Sequence, residues 1–495
     1  MASRGMIYRE QTPEIFLTDA EILSKVTSQS EIARKTRASA RKRILMDDFR
    51  DQVDAQLKHM FVEPSYLVMQ KYIDVSSNLM MRLMKDTSKV YKNEPNRTVD
   101  NEAGQKRYEE INEANHIDLF LDRANYLLNG MNDLIIQTLT YDKHIERSML
   151  TPDQVTVFEN DIDPTVPEAL VVEYPGWNHA ENRMESEFVF WSPLRHFTFK
   201  VKDGQMLKAS VNELDLNPYA EVNRTEQAFY PFTFCHASHR ENAFYDDKTG
   251  RGLVEATILI AIQNTFKYFM IPQQFKQLAV KFAQNTDKDY QNEQLSNPLH
   301  IFSTNGDIVT IDWQSAIKEL SEVIEAKTIS VANDYGLSSD QFKMQASVQS
   351  GFALKVQRQA LDEKRSDQIK FWRINERELF FCARAANNLF KLGTVIPDTA
   401  QIKVDFAEPV EISDPMEELK VNQERIKLGI LSPIDLIMRE NPDLKTRDEA
   451  LKKMQENIDD RNLVESRFGL NFGSLDQLLN PETGAGAPAA GAPAK

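Results

Sequence analysis

Cys235, His236 and His239 lie within one short stretch (CHASH) and offer three metal-ligand types side by side. No fourth ligand stands at a familiar zinc spacing, and the aromatic run before Cys235 accounts for its thiol as packing. The same residues make a poor cysteine–histidine nucleophile pair, because adjacency in sequence is not the geometry that pair needs. Glu159, Asp161 and Asp163 alternate like the opening of a calcium loop. The glycine at the sixth position and the glutamate at the twelfth are missing, so this reads as an acidic turn. Thr249-Gly250-Arg251-Gly252 precedes a helix, where backbone N–H groups can take an anion. It lacks the spacing and the lysine of a Walker loop and reads instead as a tight entry turn. The expectation is a protein that is not an enzyme, with no catalytic residues, no cofactor and no metal.

The elements that carry these residues follow from composition and periodicity. At 495 residues the chain has room for about three domains. A hydrophobic share of 41% is enough for real cores. A net charge of −16 argues against gripping nucleic acid over the whole surface but permits a local basic patch. Cys235 and Cys382 make no disulfide framework, which fits folding in a reducing compartment. Residues 1–10 carry no apolar run behind their charges and do not read as a secretory signal. The longest apolar stretch, 253–270, is broken by Glu255, Gln263, Asn264 and Lys267, so it reads as a helix against protein and not as a membrane span.

Thr18 to Glu21 (TDAE) is a capping-box pattern that opens a helix. Within that helical stretch lie Arg34, Lys35, Arg37, Arg41, Lys42 and Arg43, followed closely by Asp47, Asp48, Asp51 and Asp54. An arm touching DNA is one reading; a solvated helix whose charges pair along it or between subunits is the preferred one. Pro64 is expected to end the segment. Residues 65–90 read as a further helix with Leu67, Ile73, Leu79, Met80, Leu83 and Met84 in the core, and 93–99 as a loop. Residues 101–141 read as one or two helices, broken near Asn115 and weak at Gly130. From Pro152 short β-rich runs take over at 155–158, 170–174, 188–191 and 197–201, with Asp203-Gly204 as a hairpin turn. Residues 229–234 add a strand that Pro231 places at an edge. Helices, then strands, then helices again make the class α+β.

The stretch from 250 to 390 organises the rest. A helix over 253–270 leads into a compact segment, 271–312, in which Asn305-Gly306 is the strongest hairpin signal in the chain. Residues 275–282 (FKQLAVKF) fit either strand or helix. A second helix, 313–335, carries Trp313, Ile317, Leu320 and Ile324 as one apolar stripe, with Gly336 as its C′ residue. After the polar stretch 338–349 comes a helix of some forty residues, or about 60 Å at 1.5 Å per residue. Globular domains rarely need one that long.

This order, with SG-x-AL opening the longest helix, resembles the portal proteins of tailed double-stranded DNA bacteriophages. Asn217-Pro218-Tyr219, then Tyr230-Pro231-Phe232, then Gly250 to Leu253 resembles the strand and glycine entry that precede the family's first stem helix. Residues 401–406 (QIKVDF), 415–419, 428–432 (LGILS) and Asn441-Pro442 resemble its later strand, acidic turn and helical pair. The matches run in order over about 150–460.

The resemblance implies a mainly helical α+β chain with a β-rich wing, two stem helices carrying a small α/β clip, a very long kinked helix and a helical crown. Mapped here, the wing is 1–249 and the stem 250–270 with 313–337. The clip is 271–312 and the tunnel loop 338–349. The long helix and its return strand are 350–410, the crown 411–479, and 480–495 (NPETGAGAPAAGAPAK) a disordered tail. It implies a ring, usually of twelve copies, at one capsid vertex of the virion, assembled in the host cytoplasm. Such a ring passes double-stranded DNA without regard to sequence during packaging and ejection. Its partners would be major capsid and scaffolding proteins, terminase and then a head–tail adaptor, with no membrane. Phe342, Lys343, Met344, Gln345 and Gln349 would face DNA. Lys318, Glu322 and Lys327 would make ring contacts, and Lys276, Lys281, Asn305 and Gly306 would dock partners.

The physics of the loop agrees with such a role. Each phosphate neutralised by Lys or Arg adds affinity, so a channel that moves DNA needs few cations. Residues 340–349 hold one, Lys343, and one acid, Asp340. A stem helix with a narrow apolar stripe and charges elsewhere can pack on neighbours at two flanks, and a heterologous interface repeated around an axis closes a ring. Rival readings are helices that pair only within one monomer, a structural ring that never passes DNA, and a DNA-processing enzyme.

Overall fold

The computed structural model describes residues 17–160, 163–178, 183–209, 215–220, 231–239, 242, 244–245, 250–277, 313–337, 351–406, 415–441 and 446–468. It is an α+β chain, majority helical, divided into one unit of 1–349 with 356–409 and another of 350–355 with 410–495.

In the first unit the capping box at Thr18 and Glu21 opens α1 (Asp19–Val26). Ser28 caps α2 (Gln29–Leu45), and α3 (Arg50–Met60) follows. Pro64 begins a helix where an end was expected. It occupies the first turn of α4 (Glu63–Met69), where a missing N–H costs nothing. The helix expected over 65–90 is also broken. α4 runs into a 3₁₀ turn, and α5 (Leu79–Thr87) starts afresh at Asn78. The break has local causes. The Asp74 N–H donates to Thr265 Oγ1, while the Asn78 side chain caps Met81 N–H and reaches Ile44 O. Leu67, expected in the core, is exposed; Ile73, Leu79, Met80, Leu83 and Met84 are buried.

Residues 96–99, read as loop, form strand β1 (Asn96–Val99). α6 (Glu102–Ala114) and α7 (Ile117–Met131) divide at Asn115 as expected, with His116 left-handed between them. Gly130 is a point of close approach, because a Cβ there would run into Leu45 of α2. The helical reading then fails. Residues 133–141 are strand β2 (Asp133–Tyr141), turning at Asp142-Lys143 into β3 (His144–Leu150), which the sequence reading had not anticipated. β2 is buried along most of its length, so no alternation of apolar and polar residues marks it as a strand.

The β-rich stretch forms an antiparallel meander in the order β4 (Val155–Glu159), β5 (Pro167–Asn178), β6 (Arg183–Trp191), β7 (His196–Lys202), β8 (Gln205–Ala209). Asp203 and Gly204 both take positive φ between β7 and β8, the hairpin that Asp-Gly promised. Phe188 faces Phe199 and Phe190 faces Phe197 across β6 and β7, with rings 5.2 and 5.0 Å apart. With Phe158 they bury Ile22 and Val26 of α1. β9 (Phe232–His236) pairs with β2 in the order β3-β2-β9, an edge as Pro231 predicted.

α8 (Arg251–Gln277) runs past its expected end at 270 and continues through Pro272. Its last residues settle 275–277 as helix. α9 (Trp313–Asp334) and α10 (Gly351–Leu389, 39 residues) match their expected spans, and β10 (Ile402–Asp405) pairs with β1. Trp372 of α10 is buried, donating Nε1–H to Asn125 Oδ1 at 2.9 Å.

In the second unit α11 (Pro415–Lys427) closes at left-handed Gly429, with Ile430 N–H donating to Arg425 O at 2.9 Å. A capping box at Ser432 and Asp435 opens α12 (Pro433–Glu440), which packs on α13 (Arg447–Phe468). Ala450 is the one buried side chain among the described residues of this unit.

Candidate functional site

α8 is seated on its own chain. Leu253, Ala256, Thr257, Ile260, Ala261, Ile262 and Thr265 are buried, and α3, α5 and α9 pack against the helix. The two threonine hydroxyls donate to carbonyls one turn back, which removes the cost of burying them. Phe266 meets Phe61, and Phe269 meets Tyr72, each at 5.6 Å. Gly250 makes the tight entry. Its φ is +72°, and Arg41 Nη2 would lie 2.6 Å from any Cβ placed there.

α9 follows its apolar stripe. Ile317, Leu320 and Ile324 are half-buried, and Val331 and Ala332 beyond them are buried. Left-handed Gly336 ends the helix, with Leu337 N–H donating to Ala332 O at 3.0 Å. The Lys364 ammonium of α10 sits 4.6 Å over the Tyr335 ring, and burial holds that amine below its ordinary range. The outward side of α9 is different. Lys318 and Glu322 stand 3.9 Å apart with side chains 80% and 66% exposed. Glu319, Val323 and Lys327 are exposed too. A pair so open contributes roughly 0–1 kcal/mol, so this face is not consumed by folding.

The structure therefore brings Lys318 and Glu322 together and leaves Lys327 exposed on the same helix. Lys276 lies in the last turn of α8. Lys281, Asn305 and Gly306 of the expected clip fall outside the described residues, as do Phe342, Lys343, Met344, Gln345 and Gln349 of the expected tunnel loop and the tail 480–495.

The residues weighed for chemistry each have a separate partner. Cys235 is buried and its thiol is pushed well above the ordinary range. His236 Nδ1 lies 2.6 Å from Asp133 Oδ1, and the His239 ring meets Phe371 edge-on at 5.0 Å. Among the described residues no group of three or more His, Cys, Asp or Glu side chains is placed to hold a metal. An open cleft of about 370 Å³ is lined by Arg50, Asp51, Asp54, Gln70, Lys71 and Ile73. Asp54 accepts from Tyr66, Asp51 from Arg43, and Arg50 donates to Ile73 O. Those charges are engaged away from the cleft. No described helix is long and apolar enough to cross a membrane.

The basic run of α2 is a clamp. Arg34 binds Glu31 and the carbonyls of Pro152 and Val155. Burial alone would raise the Glu31 carboxyl, but the Arg34 hydrogen bonds and charge outweigh it and hold it low. Lys35 reaches Glu173 at 2.8 Å and Lys42 reaches Asp153 at 3.2 Å. Arg41 donates to Gly130 O and Asn132 Oδ1. Only Arg43 pairs nearby, with Asp48 and Asp51. The charges are paired, as preferred, but mostly across the fold. Sequence reasoning missed a deeper assembly. Arg97 bridges Asp118 and fully buried Glu376, which also accepts from Tyr91 Oη. Nothing local to Arg97 signals a partner 279 positions away.

No protein-family model matches the chain, and no curated protein does. Among solved structures, the chain is similar to one described as the neck of an empty GTA particle computed with C6 symmetry. The two share 11% identity over 74% of this chain and 90% of the other, with a TM-score of 0.31. A likeness at that level carries no inference about function.

Proposed function

We propose that this chain is a portal-type connector protein, one copy of a ring that passes double-stranded DNA through a capsid vertex. The observation that carries the reading is the ordered pattern of stem entry, helix, inserted segment, helix, polar loop and long helix, in which α8, α9 and α10 occupy their expected places. In support, the exposed charged face of α9 is open to a neighbouring copy, and the 39 residues of α10 extend about 59 Å. On this reading α8 and α9 are the stem, the segment between them is the clip that meets terminase and then a head–tail adaptor, and residues 338–349 line the tunnel.

Imaging and native mass measurement of the purified full chain test the reading. A closed ring with a central hole is expected, with twelve copies as the first count to look for. A stable monomer both in solution and in assembled particles overturns it. Lys343→Ala is expected to alter DNA packaging or retention while leaving the ring intact; loss of the ring instead would make Lys343 a structural residue.

A further inference from the structure

Arg147 of β3 is 8% exposed, and its guanidinium is only partly satisfied. Nη1 donates to Asn112 Oδ1 at 3.0 Å, but Nε and Nη2 are buried without a hydrogen-bond partner in the protein. Those two N–H groups form the parallel edge of the fork, the side that takes an acceptor bidentately. Two further buried groups without partners stand nearby. The Tyr108 ring lies 5.8 Å from the guanidinium carbon, and its hydroxyl is unpaired. Thr138 is directly opposite Arg147 in the β2–β3 register, which puts both side chains on one face, and its hydroxyl is unpaired too.

The charge must be met somehow. A guanidinium does not give up its proton in a protein, and a buried ion without a counter-ion costs several kcal/mol. The buried carboxylates of this core are already committed. Glu376 holds Arg97 and Tyr91, and Asp133 holds His236 and the Tyr245 N–H. Arg147, Tyr108 and Thr138 all present donors, so the group that completes them is an acceptor carrying negative charge.

We propose that Arg147, Tyr108 and Thr138 enclose a small inorganic anion of the halide class between the β2–β3 hairpin and α6. It joins Arg147 to the helix that Asn112 and Tyr108 belong to, and so ties the hairpin to α6.

The test is thermal melting of the full chain in sodium chloride and in sodium gluconate at equal ionic strength. The midpoint is expected to be about 1–3 °C higher in chloride and to saturate with concentration, as for any ligand that binds only the folded state. Arg147→Met is expected to abolish that difference, and Tyr108→Phe to reduce it. Equal midpoints for the unchanged chain, or a difference that survives in Arg147→Met, overturn the proposal. Because Arg147→Met risks misfolding, a second measurement uses the unchanged chain crystallised from bromide. An anomalous peak beside Arg147 Nε and Nη2 supports the site; water alone at that position overturns it.

Discussion

α2 and α9 are both charged helices, yet they use their charges differently. Arg34, Lys35, Arg41, Lys42 and Arg43 of α2 all end on groups of the same chain, most of them more than 80 positions away. On α9 the Lys318–Glu322 contact stays within the helix at 3.9 Å, open to solvent. Residue types alone do not separate a clamp from a free face. What separates them is whether the partner is brought by tertiary structure, where water is partly excluded and a charge-assisted bond counts for more.

The comparison breaks hardest where the charges lie deepest. Arg97→Met leaves Glu376 buried and unpaired, and a loss of about 3–5 kcal/mol is expected in denaturant unfolding. Adding Glu376→Leu should recover part of that loss, since the stranded charge goes with it. Arg41→Met removes donors from the Gly130 carbonyl and Asn132, with an expected loss of about 1.5–3 kcal/mol.

A smaller effect sharpens the contrast through pH. Burial depresses the His196 imidazole, although the Phe190 carbonyl and Asp215 pull it the other way. The folded ring is therefore held neutral, and acid favours the unfolded chain, which takes up the proton more readily. His196 contributes fully above the ordinary histidine value. That contribution is lost as pH falls through the depressed folded one. Melting midpoints measured from pH 7.5 to 5 should fall less steeply in His196→Phe than in the unchanged chain. Smallest for the fold itself is the exchange Lys318→Glu with Glu322→Lys, expected to move stability by less than about 0.5 kcal/mol. Native mass spectra should nevertheless show fewer assembled copies. A stability loss matching that of Arg41→Met would erase the distinction between the two helices.

Local chemistry was legible before any coordinates. The capping box at Thr18, the Asp203-Gly204 turn, the C′ role of Gly336 and the edge position of β9 all follow from neighbours in sequence. β2 was not legible, because Leu134, Ile135, Ile136 and Leu139 suit a helix as well as a strand, and burial on both faces erases the alternation. β1 becomes a strand because β10 pairs with it from about 300 positions away, and Arg97 finds Glu376 across a similar distance. Of the candidate site, the stripe and open charges of α9 could be read from spacing. The clamp on α2 could not, since its acceptors are carbonyls and carboxylates that folding delivers.

The contact between Gly250 and Arg41 has a consequence for how this chain can change over time. The arginine fills the room that a side chain at 250 would need, and the left-handed backbone there independently disfavours one. Substituting either residue alone forfeits what the other is shaped for, so the two positions form a lock that must be altered together. Homologous chains that have lost the arginine are the ones in which a larger residue should turn up at the start of α8.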